Sequence, residues 1–387
     1  MKRVFFAALA ALLLVICPSC KQGAGQKQSA ADTKTTRSGW AGIGEVKVEY
    51  ATGFSVKYTD YGVFVDICDP EREQSQVFHY MLIPNETEAE KVPEGYEIIE
   101  VPVESVICMT SLQLSNFIKL DELDPVVGIT STRHLFNPDM KERLADGRTK
   151  KIGIEGNFDS EVILGINPDL ILISPFKRGG YEALKNVDIP LIPHLGYKEM
   201  TPLGQAEWIK FVGLLIGEED KANRIFDSIA IRYNELKALT EKVSERPVVL
   251  SGELHGGNWY VSGGRGFLAQ IFRDAGGEYF LPDDETTGGK NLDFETVYSR
   301  SDEVKYWRIV NSYDGTFSYD ALKAEDARYA DLYAFKNKGV IYCNMREKPF
   351  YESMPVMPEV VLADLIHILH PELLPADYQP VFYELLQ

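Results

Sequence analysis

The sequence predicts an α/β protein of two Rossmann-like lobes, each on a mainly parallel sheet, joined by a long helical linker and preceded by an antiparallel β extension. Three observations predict it. Short apolar strands alternate with helices of about ten residues over 104–201 and again over 246–387, the rhythm of βαβ units. Between them, residues 202–245 show helical apolar spacing and no strand signal. Ahead of them, residues 46–103 alternate apolar and polar positions between turns, as half-buried strands do.

The chain opens "MKRVFFAALAALLLVICPSCKQ": Lys2 and Arg3, an apolar run over 4–16, then small residues and a cysteine. The run is too short to span a membrane as a helix and has the layout of a secretory signal over 1–19. Ending in Ser19-Cys20, it resembles a bacterial lipoprotein signal, which implies lipidation at Cys20. Cys17 departs from that pattern, which prefers Leu there, and an ordinary cleaved signal is the alternative. Residues 20–45 follow as a polar, Gly/Ser/Thr-rich segment with the composition of a flexible tether. No later apolar run approaches membrane-spanning length. Setting aside Cys17 and Cys20 leaves Cys68, Cys108 and Cys343, an odd number without a CxxC pair. Buried structural thiols are expected, not a disulfide framework, redox pair or metal centre.

A chain of 387 residues is expected to form about two domains. Its net charge of −18 and pI near 4.9 leave no basic face for nucleic acid. That acidity bears on solubility, not on fold.

In order, "FSVKYTDYGVFVDICDP" and "QVFHYMLIP" read as strands, and "KVPEGYEIIEVPVESVICMTS" as a further pair. "SVICMTS" leads into a helix at "LQLSNFIKLDEL", a strand at "VVGITST", a helix at "SEVILGI" and a buried strand at "DLILISP". A helix around "GGYEALKNV" and a strand at "PLIPHL" complete the first lobe. Gly128, Pro168 and Pro190 mark the joints. In the linker, Trp208, Phe211, Val212 and Leu215 form one apolar stripe; Ile225, Phe226, Ile229, Tyr233 and Leu236 form a second. Residues 218–243 would make a helix of about 39 Å at ~1.5 Å per residue, long enough to cross between lobes. The second lobe repeats the rhythm: "RPVVLSGEL", "GFLAQIFRDAGG", "LDFETVYSR", "EVKYWRIVNS", "KGVIYCNM". A last helix, "PEVVLADLIHILHPELL", has Pro358 in its first turn and is ended by Pro371.

Two segments share a local design. "DSEVILGINPDLILI" and "DFETVYSRSDEVKYWRI" each place a glutamate, Glu161 or Glu295, in the first turn of a short helix before a buried strand. The helix dipole favours a carboxylate there by about 0.3–1 kcal/mol, which accounts for either one alone. The same setting in both lobes points to a shared role.

The order and spacing of "SEVILGINPDLIL", "PLGQAEWIKFVGLLIG", "VVLSGELHGGNWYVSGG", "LDFETV" and "YESMPVMPEVVLADLIHILHPELL" carry a resemblance. From about residue 54 onward, the chain resembles the substrate-binding proteins of ABC importers whose two α/β lobes are joined by a rigid helix. Those proteins serve ferric siderophores, haem and cobalamin. The resemblance implies that Glu161 and Glu295 dock on arginines of a two-fold permease dimer, where such rim charges set register and association rate. It also implies a monomer in the periplasm or cell envelope, held to the membrane only by the lipid anchor.

In parallel α/β lobes, ligands bind at the carboxyl ends of the strands. The loops there are "MTSLQ", "TSTRHLFNP", "SPFKRGGY", "HLGYKEMTP", "GELHGGNWYVSGG", "NSYDGTFS" and "NMREKPFYESM". They carry Arg133, Phe176, Lys177, Arg178, Tyr197, Trp259, Tyr260, Tyr313, Arg346, Phe350 and Tyr351. Guanidinium forks with aromatic faces suit an anionic iron chelate or a porphyrin with propionates. His134, His194 and His255 lie in the same loops and offer ligands for a bare metal or a haem iron, though none of the three stands in an HxxH or HExxH spacing. "VSGGRGF" lacks the GxxxxGK[ST] pattern and reads as a glycine-rich turn entering a helix. There is no GxSxG, and the serines of "MTSLQ" and "LSGEL" have no elbow signature, so no enzyme is expected.

The expected function is capture of a ferric siderophore or related iron chelate and delivery to an importer, with no resident cofactor. Haem or cobalamin binding by the same route, a bare-metal binder and a capture lipoprotein without an importer are the alternatives. A single packed helix between the lobes predicts only a small rotation on binding.

Overall fold

A computed structural model describes residues 45–72, 75–86, 91–130, 132–154, 156–174, 184 and 188–387. The signal over 1–19, Cys20, the tether short of residue 45, Phe176, Lys177, Arg178 and the expected helix around "GGYEALKNV" lie outside the described residues.

The first sheet contains β1 (Phe54–Tyr58), β2 (Val63–Ile67) and β3 (Phe78–Pro84), paired antiparallel. Along β2, Val63, Val65 and Ile67 turn inward while the residues between them are half-buried, as period two requires. β4 (Tyr96–Val101) joins β3 in the parallel sense, unlike the three strands before it. The connection over 85–95 explains this: it is long enough to return the chain to the starting end, which a tight hairpin turn is not.

The first lobe then runs β5 (Val106–Cys108), α1 (Ser111–Leu120), β6 (Val126–Ile129), α2 (Pro138–Asp146) and β7 (Lys150–Lys151). A small hairpin of β8 (Gly153–Ile154) and β9 (Asn157–Phe158) leads to α3 (Ser160–Ile166), β10 (Leu170–Ile173) and β11 (Leu191–Pro193). Its sheet has the order β11-β10-β5-β6-β7 and is parallel throughout. β10, "LILI", is buried at every position because helices cover both faces of such a sheet.

Two helices follow, α4 (Pro202–Ile216) and α5 (Glu219–Thr240). Every residue of α4 from Pro202 to Leu215 is buried, the mark of a helix packed on all sides. Gly213 allows the close approach of α5, since a β-carbon there would lie 2.6 Å from the Ala222 side chain. α5 has 22 residues, about 33 Å of helix.

The second lobe comprises β12 (Val248–Ser251), β13 (Leu254–His255), β14 (Asn258–Ser262), α6 (Phe267–Asp274), β15 (Glu278–Tyr279), β16 (Gly289–Leu292) and α7 (Phe294–Tyr298). It continues with β17 (Val304–Asn311), α8 (Tyr319–Glu325), α9 (Tyr333–Lys336), β18 (Val340–Asn344), α10 (Phe350–Ser353), α11 (Pro358–Leu369) and β19 (Glu384–Leu385). The sheet order is β15-β12-β17-β18-β19, parallel except for β19. The segment "GELHGGNWYVSGG", expected as a loop, contains the β13–β14 hairpin, which β16 extends to three strands. Gly256 and Gly257, both at positive φ, form its two-residue turn.

One apolar cluster runs from Val65 of the first sheet through Leu172, Trp208 in α4, Tyr233 in α5 and Leu365 in α11 to Val249 and Ile341 of the second lobe. The opposite faces of the two parallel sheets close over smaller clusters, one around Ile107 and Ile171, the other around Trp259 and Trp307. Cys108 and Cys343 are buried in strands, Cys68 is half-buried, and all three are free thiols. Burial pushes the Cys343 thiol up to about 12. Among the described residues, no helix is long and apolar enough to cross a membrane.

Residues 45–53 form a strap along α4. The Glu207 carboxylate accepts the amide protons of Glu49 (2.9 Å), Tyr50 (2.6 Å) and Ala51 (2.8 Å). It also accepts from Lys210 Nζ at 2.9 Å, and Lys210 in turn donates to the Lys47 carbonyl. The Glu199 carboxylate accepts from the Thr52 and Gly53 amides and from Trp208 Nε1. Glu207 is completely buried, so these donors replace its hydration. Glu207→Ala orphans three amides and the buried Lys210 ammonium. The expected loss is about 3–5 kcal/mol of unfolding free energy in a urea titration, far above the ~0.5 kcal/mol typical of a surface substitution.

Candidate functional site

The carboxyl-end loops of the two parallel sheets meet. His134, in the loop after β6, places Nδ1 3.2 Å from the Met345 carbonyl and Nε2 3.3 Å from Ser312 Oγ, in the loops after β18 and β17. Glu352 of α10 reaches the same first-lobe loop, accepting the amide protons of Phe136 at 2.7 Å and Asn137 at 2.9 Å. Between these contacts and the start of α1 lies a cavity of about 310 Å³, walled by Thr110, Ser111, Thr130, His134, Tyr351 and Glu352. Its floor is held in place: the Gln113 side-chain oxygen accepts the Met109 and Thr110 amides, and Thr130 Oγ1 donates to the Met109 carbonyl. Two larger depressions, about 570 and 410 Å³, border Pro247 and Lys305 in one case and Val103 and Asp169 in the other. Both sit at the amino ends of the strands, the wrong end for ligand capture in this architecture.

Two arginines, Arg133 and Arg346, lie close to the small cavity, with the Asp314 carboxylate on Arg346 and Glu352 in the cavity wall. Burial first, then the charges of Arg133 and Arg346, lower the His134 pKa, while its bond to the Met345 carbonyl opposes them. The ring is therefore neutral at pH 7. Its contact with the carbonyl assigns the proton to Nδ1 and leaves Nε2 to accept from Ser312. Arg346 pairs with Asp314 at 2.7 Å. Tyr351 is 38% exposed, and Tyr313 packs edge-on against Phe317 beside them. Thus the structure brings His134 and Tyr351 to the cavity wall, with Arg133 and Arg346 near enough to act on the His134 charge and Tyr313 next to Ser312, which contacts His134.

Other expected site residues go elsewhere. Trp259 is fully buried, donates Nε1–H to the Ser251 carbonyl and packs 5.2 Å from Trp307. Alternation along β14 turns Trp259 and Val261 inward, so Trp259 is core and cannot line the cleft. Tyr260 is the outward residue, its ring lying over Gly289, where a β-carbon would collide with the phenol. His194 is also core. Its ring packs at a tilt 4.7 Å from Trp208, with Asn116 Nδ2 3.3 Å from Nε2, and burial drives its pKa down to about 3. Phe350 is buried against Phe382 and Tyr383. Tyr197 is half-buried in the turn Gly196–Lys198, and His255 is exposed on the β13–β14 hairpin, outside the cavity wall.

One buried acid at the carboxyl end of a strand escaped the sequence reading. Glu253 follows β12 directly and is only 9% exposed; burial first, and Glu325 second, push its carboxyl up to about 7. Asn311 Nδ2 donates to it at 3.3 Å, and Tyr342 holds the Asn311 carbonyl oxygen. An acidic residue placed immediately after a buried strand, at its carboxyl end, was the available signal.

Glu161 and Glu295 occupy matched positions, each the second residue of its helix behind an aspartate cap. Asp159 Oδ1 accepts from the Val162 amide at 3.1 Å and Asp293 Oδ1 from the Thr296 amide at 2.6 Å. Both glutamates are exposed, and neither forms an ion pair among the described residues. Among those residues, no three His, Cys, Asp or Glu side chains are placed to hold a metal ion.

The model of a family described as periplasmic binding proteins matches residues 106–346. The chain is 26% identical over 298 residues to an uncharacterized lipoprotein of Methanocaldococcus jannaschii, covering 73% of this chain and 69% of that one. A second lipoprotein of the same organism is 24% identical, covering 79% of each. Among solved structures, a periplasmic binding protein from Veillonella parvula matches with a TM-score of 0.56 at 13% identity, covering 82% of this chain and 98% of that one. An Fe3+-hydroxamate transport protein from Saccharomonospora viridis matches at 0.54 and 21% identity, covering 69% and 92%. The vitamin B12 binding protein of Vibrio cholerae matches at 0.51 and 14%, covering 69% and 97%. These structural likenesses establish the fold.

A carboxyl held neutral by burial destabilises the fold once its unfolded counterpart ionises. With the Glu253 pKa raised from 4.5 to about 7, its contribution is complete below pH 4.5, declines as pH rises to about 7 and is level above that. Glu253→Gln should therefore be more stable than the parent at pH 8, by on the order of 2 kcal/mol, and equal to it at pH 4. Urea unfolding at the two pH values measures this.

Proposed function

Since the chain belongs to the periplasmic binding protein family, we propose that it is a substrate-binding lipoprotein that captures a ferric siderophore or related iron chelate between its lobes and delivers it to an ABC importer permease. The observation that carries the reading is the pair of guanidinium groups, Arg133 and Arg346, close to the cavity walled by neutral His134 and Tyr351, on a chain of net charge −18. Cations beside a cavity on so acidic a protein select an anionic ligand, because repulsion elsewhere drives such a ligand away. The cavity of about 310 Å³ stands at the lower end of the ~300–1,000 Å³ range of small-ligand sites, a fit for a compact chelate head. The guanidinium groups pair with ligand oxygens, Tyr351 covers an apolar face, and neutral His134 keeps both lobes' loops in register.

Delivery follows from the rest of the molecule. Glu161 and Glu295, one per lobe in identical helix-start settings, present two fixed charges to arginines of a two-fold permease dimer. The core continuous through α4, α5 and α11 keeps their separation nearly constant, so ligand produces little rotation of the lobes. Cys20 supplies the lipid anchor in the cell envelope, in line with the lipoprotein names of the archaeal relatives. The reading is stoichiometric capture and release, without turnover.

Calorimetric titration of the protein with a ferric hydroxamate chelate, haemin, cyanocobalamin and molybdate tests the ligand class. Saturable one-to-one binding of the chelate is expected, and Arg133→Ala and Arg346→Ala should each weaken it by about tenfold, the loss of one charge-assisted hydrogen bond of ~1.5 kcal/mol. Preference for haemin or cyanocobalamin, or affinity indifferent to both arginines, overturns the assignment. The double variant Glu161→Ala/Glu295→Ala should bind the chelate with unchanged affinity and lose its uptake by cells; full uptake refutes the docking role.

A further inference from the structure

The two lobes repeat one topology. In the first, the order β11-β10-β5-β6 places the lobe's opening strand, β5, between β6 and β10, with β11 outside β10. In the second, the order β18-β17-β12-β15 does the same around its opening strand, β12. Helix α3, which runs into β10, and helix α7, which runs into β17, therefore hold equivalent places. Each carries one of the glutamates read above as docking charges, and the rest of its outer face has no task so far.

Those outer faces share one composition. The Ile163 amide donates to the Asp159 carbonyl at 3.1 Å and the Ser299 amide to the Glu295 carbonyl at 2.8 Å, so both segments wind as α-helix. Residues three and four positions beyond each glutamate then share its face. In α3 they are Leu164, 55% exposed, and Gly165; in α7 they are Tyr298, 48% exposed, and Ser299. The residues just before them, Ile163 and Val297, are fully buried. A β-carbon at Gly165 would meet nothing within 4 Å, and the Tyr298 ring is stacked on Phe294 at 5.9 Å. Each face is thus an exposed carboxylate, a large apolar side chain half in water, and a small residue that leaves room beside it. Arg328 is near enough to feel the Glu295 charge, but its Nε and Nη2 are bonded to Asp326 at 2.9 and 2.7 Å. One exposed apolar side chain on a surface is ordinary. The same arrangement at the same spacing in both repeats of the topology is not.

We infer that Leu164 and Tyr298 are the apolar anchors of the surface that meets the permease, each entering a recess beside the arginine that receives Glu161 or Glu295. This rests on the docking role proposed for those glutamates. One face occurring twice on a chain calls for a partner in which one site occurs twice, so the occupant is a pair of equivalent subunits and not a single-copy protein. Each of its sites offers a guanidinium for the carboxylate and an apolar wall for the side chain one turn further on. At Tyr298 the guanidinium also finds the face of a ring already fixed by stacking. A cationic partner complements a chain of net charge −18. The two kinds of contact divide the work: exposed charges steer the encounter, whereas a large side chain desolvated in a pocket slows dissociation.

Photo-cross-linking of the full chain in its own cells tests this without reference to the ligand. Benzoylphenylalanine replaces Gly165 or Ser299, beside each anchor, and mass spectrometry identifies the labelled peptide. Both positions are expected to label the same peptide of one membrane-spanning polypeptide; the exposed Ile231 of α5, the control position, is expected not to label it. Leu164→Ser/Tyr298→Ser should lower the yield about tenfold at both positions and leave the melting temperature unchanged, since both side chains are at the surface. Tyr298→Phe, which keeps the ring, should hold the yield at position 299 within about twofold of the parent. Labelling of different polypeptides at the two positions, of a second copy of this chain, or of no protein overturns the inference. So does full yield in Leu164→Ser/Tyr298→Ser. If Glu161→Ala/Glu295→Ala then abolishes labelling, the charge docking stands and the anchors alone fail. Loss in the serine variant with full yield in the glutamate variant upholds the anchors and removes the charges from docking.

Discussion

The structure hangs on two carboxylates that have no access to water. Glu207 lies within a helix buried on every side, where an ionised group would be prohibitive without compensation. The compensation comes from a stretch of chain far away in sequence: three consecutive amides of the strap, with Lys210 supplying the opposite charge. Glu199 does the same for Thr52 and Gly53 and draws in the Trp208 indole. In consequence the strap, the first sheet and α4 form one mechanical unit. Because α4 is also the helix on which both lobes pack, that unit determines where every other element sits.

A shared core has a functional consequence. Lobes joined by flexible strands close over ligand by rotation, whereas here the apolar cluster passes without interruption from one sheet through α4, α5 and α11 to the other. Recognition must then come from side chains already in place. The two arginines near the cavity suit that demand: burial together with their charge lowers the His134 pKa, so the imidazole bridges two loops instead of adding a third positive charge. On the second lobe, burial and Glu325 push the Glu253 carboxyl up to about 7.

Much of this was legible in the sequence. The βαβ rhythm could be read because strands buried on both faces are uninterrupted apolar runs, as "LILI" and "VIYC" are. The α4 helix showed as the stripe of Trp208, Phe211, Val212 and Leu215, though its burial on every side, Glu207 and Lys210 included, did not. The matched settings of Glu161 and Glu295 were visible in the aspartate two residues before each, which caps the helix in both lobes. Elements failed where a local pattern had two solutions. "GELHGGNWYVSGG" looked like a loop because its glycines were read as breaks, when Gly256-Gly257 is a hairpin turn; with the hairpin overlooked, Trp259 was placed on the wrong face.

The sequence by itself determined the fold class, the order of the elements and the paired helix starts, since those depend on interactions within about ten residues of chain: apolar periodicity, caps and turn glycines. Only the tertiary structure decided which loop residues face the cleft. His194 and His134 sit in loops of equal promise, yet one packs against Trp208 in the core and the other bridges the lobes. The direction of β4 and the partners of Glu207 were decided at the same level. Each joins residues far apart in the chain, and burial and charge at such contacts come from neighbours that no local pattern names.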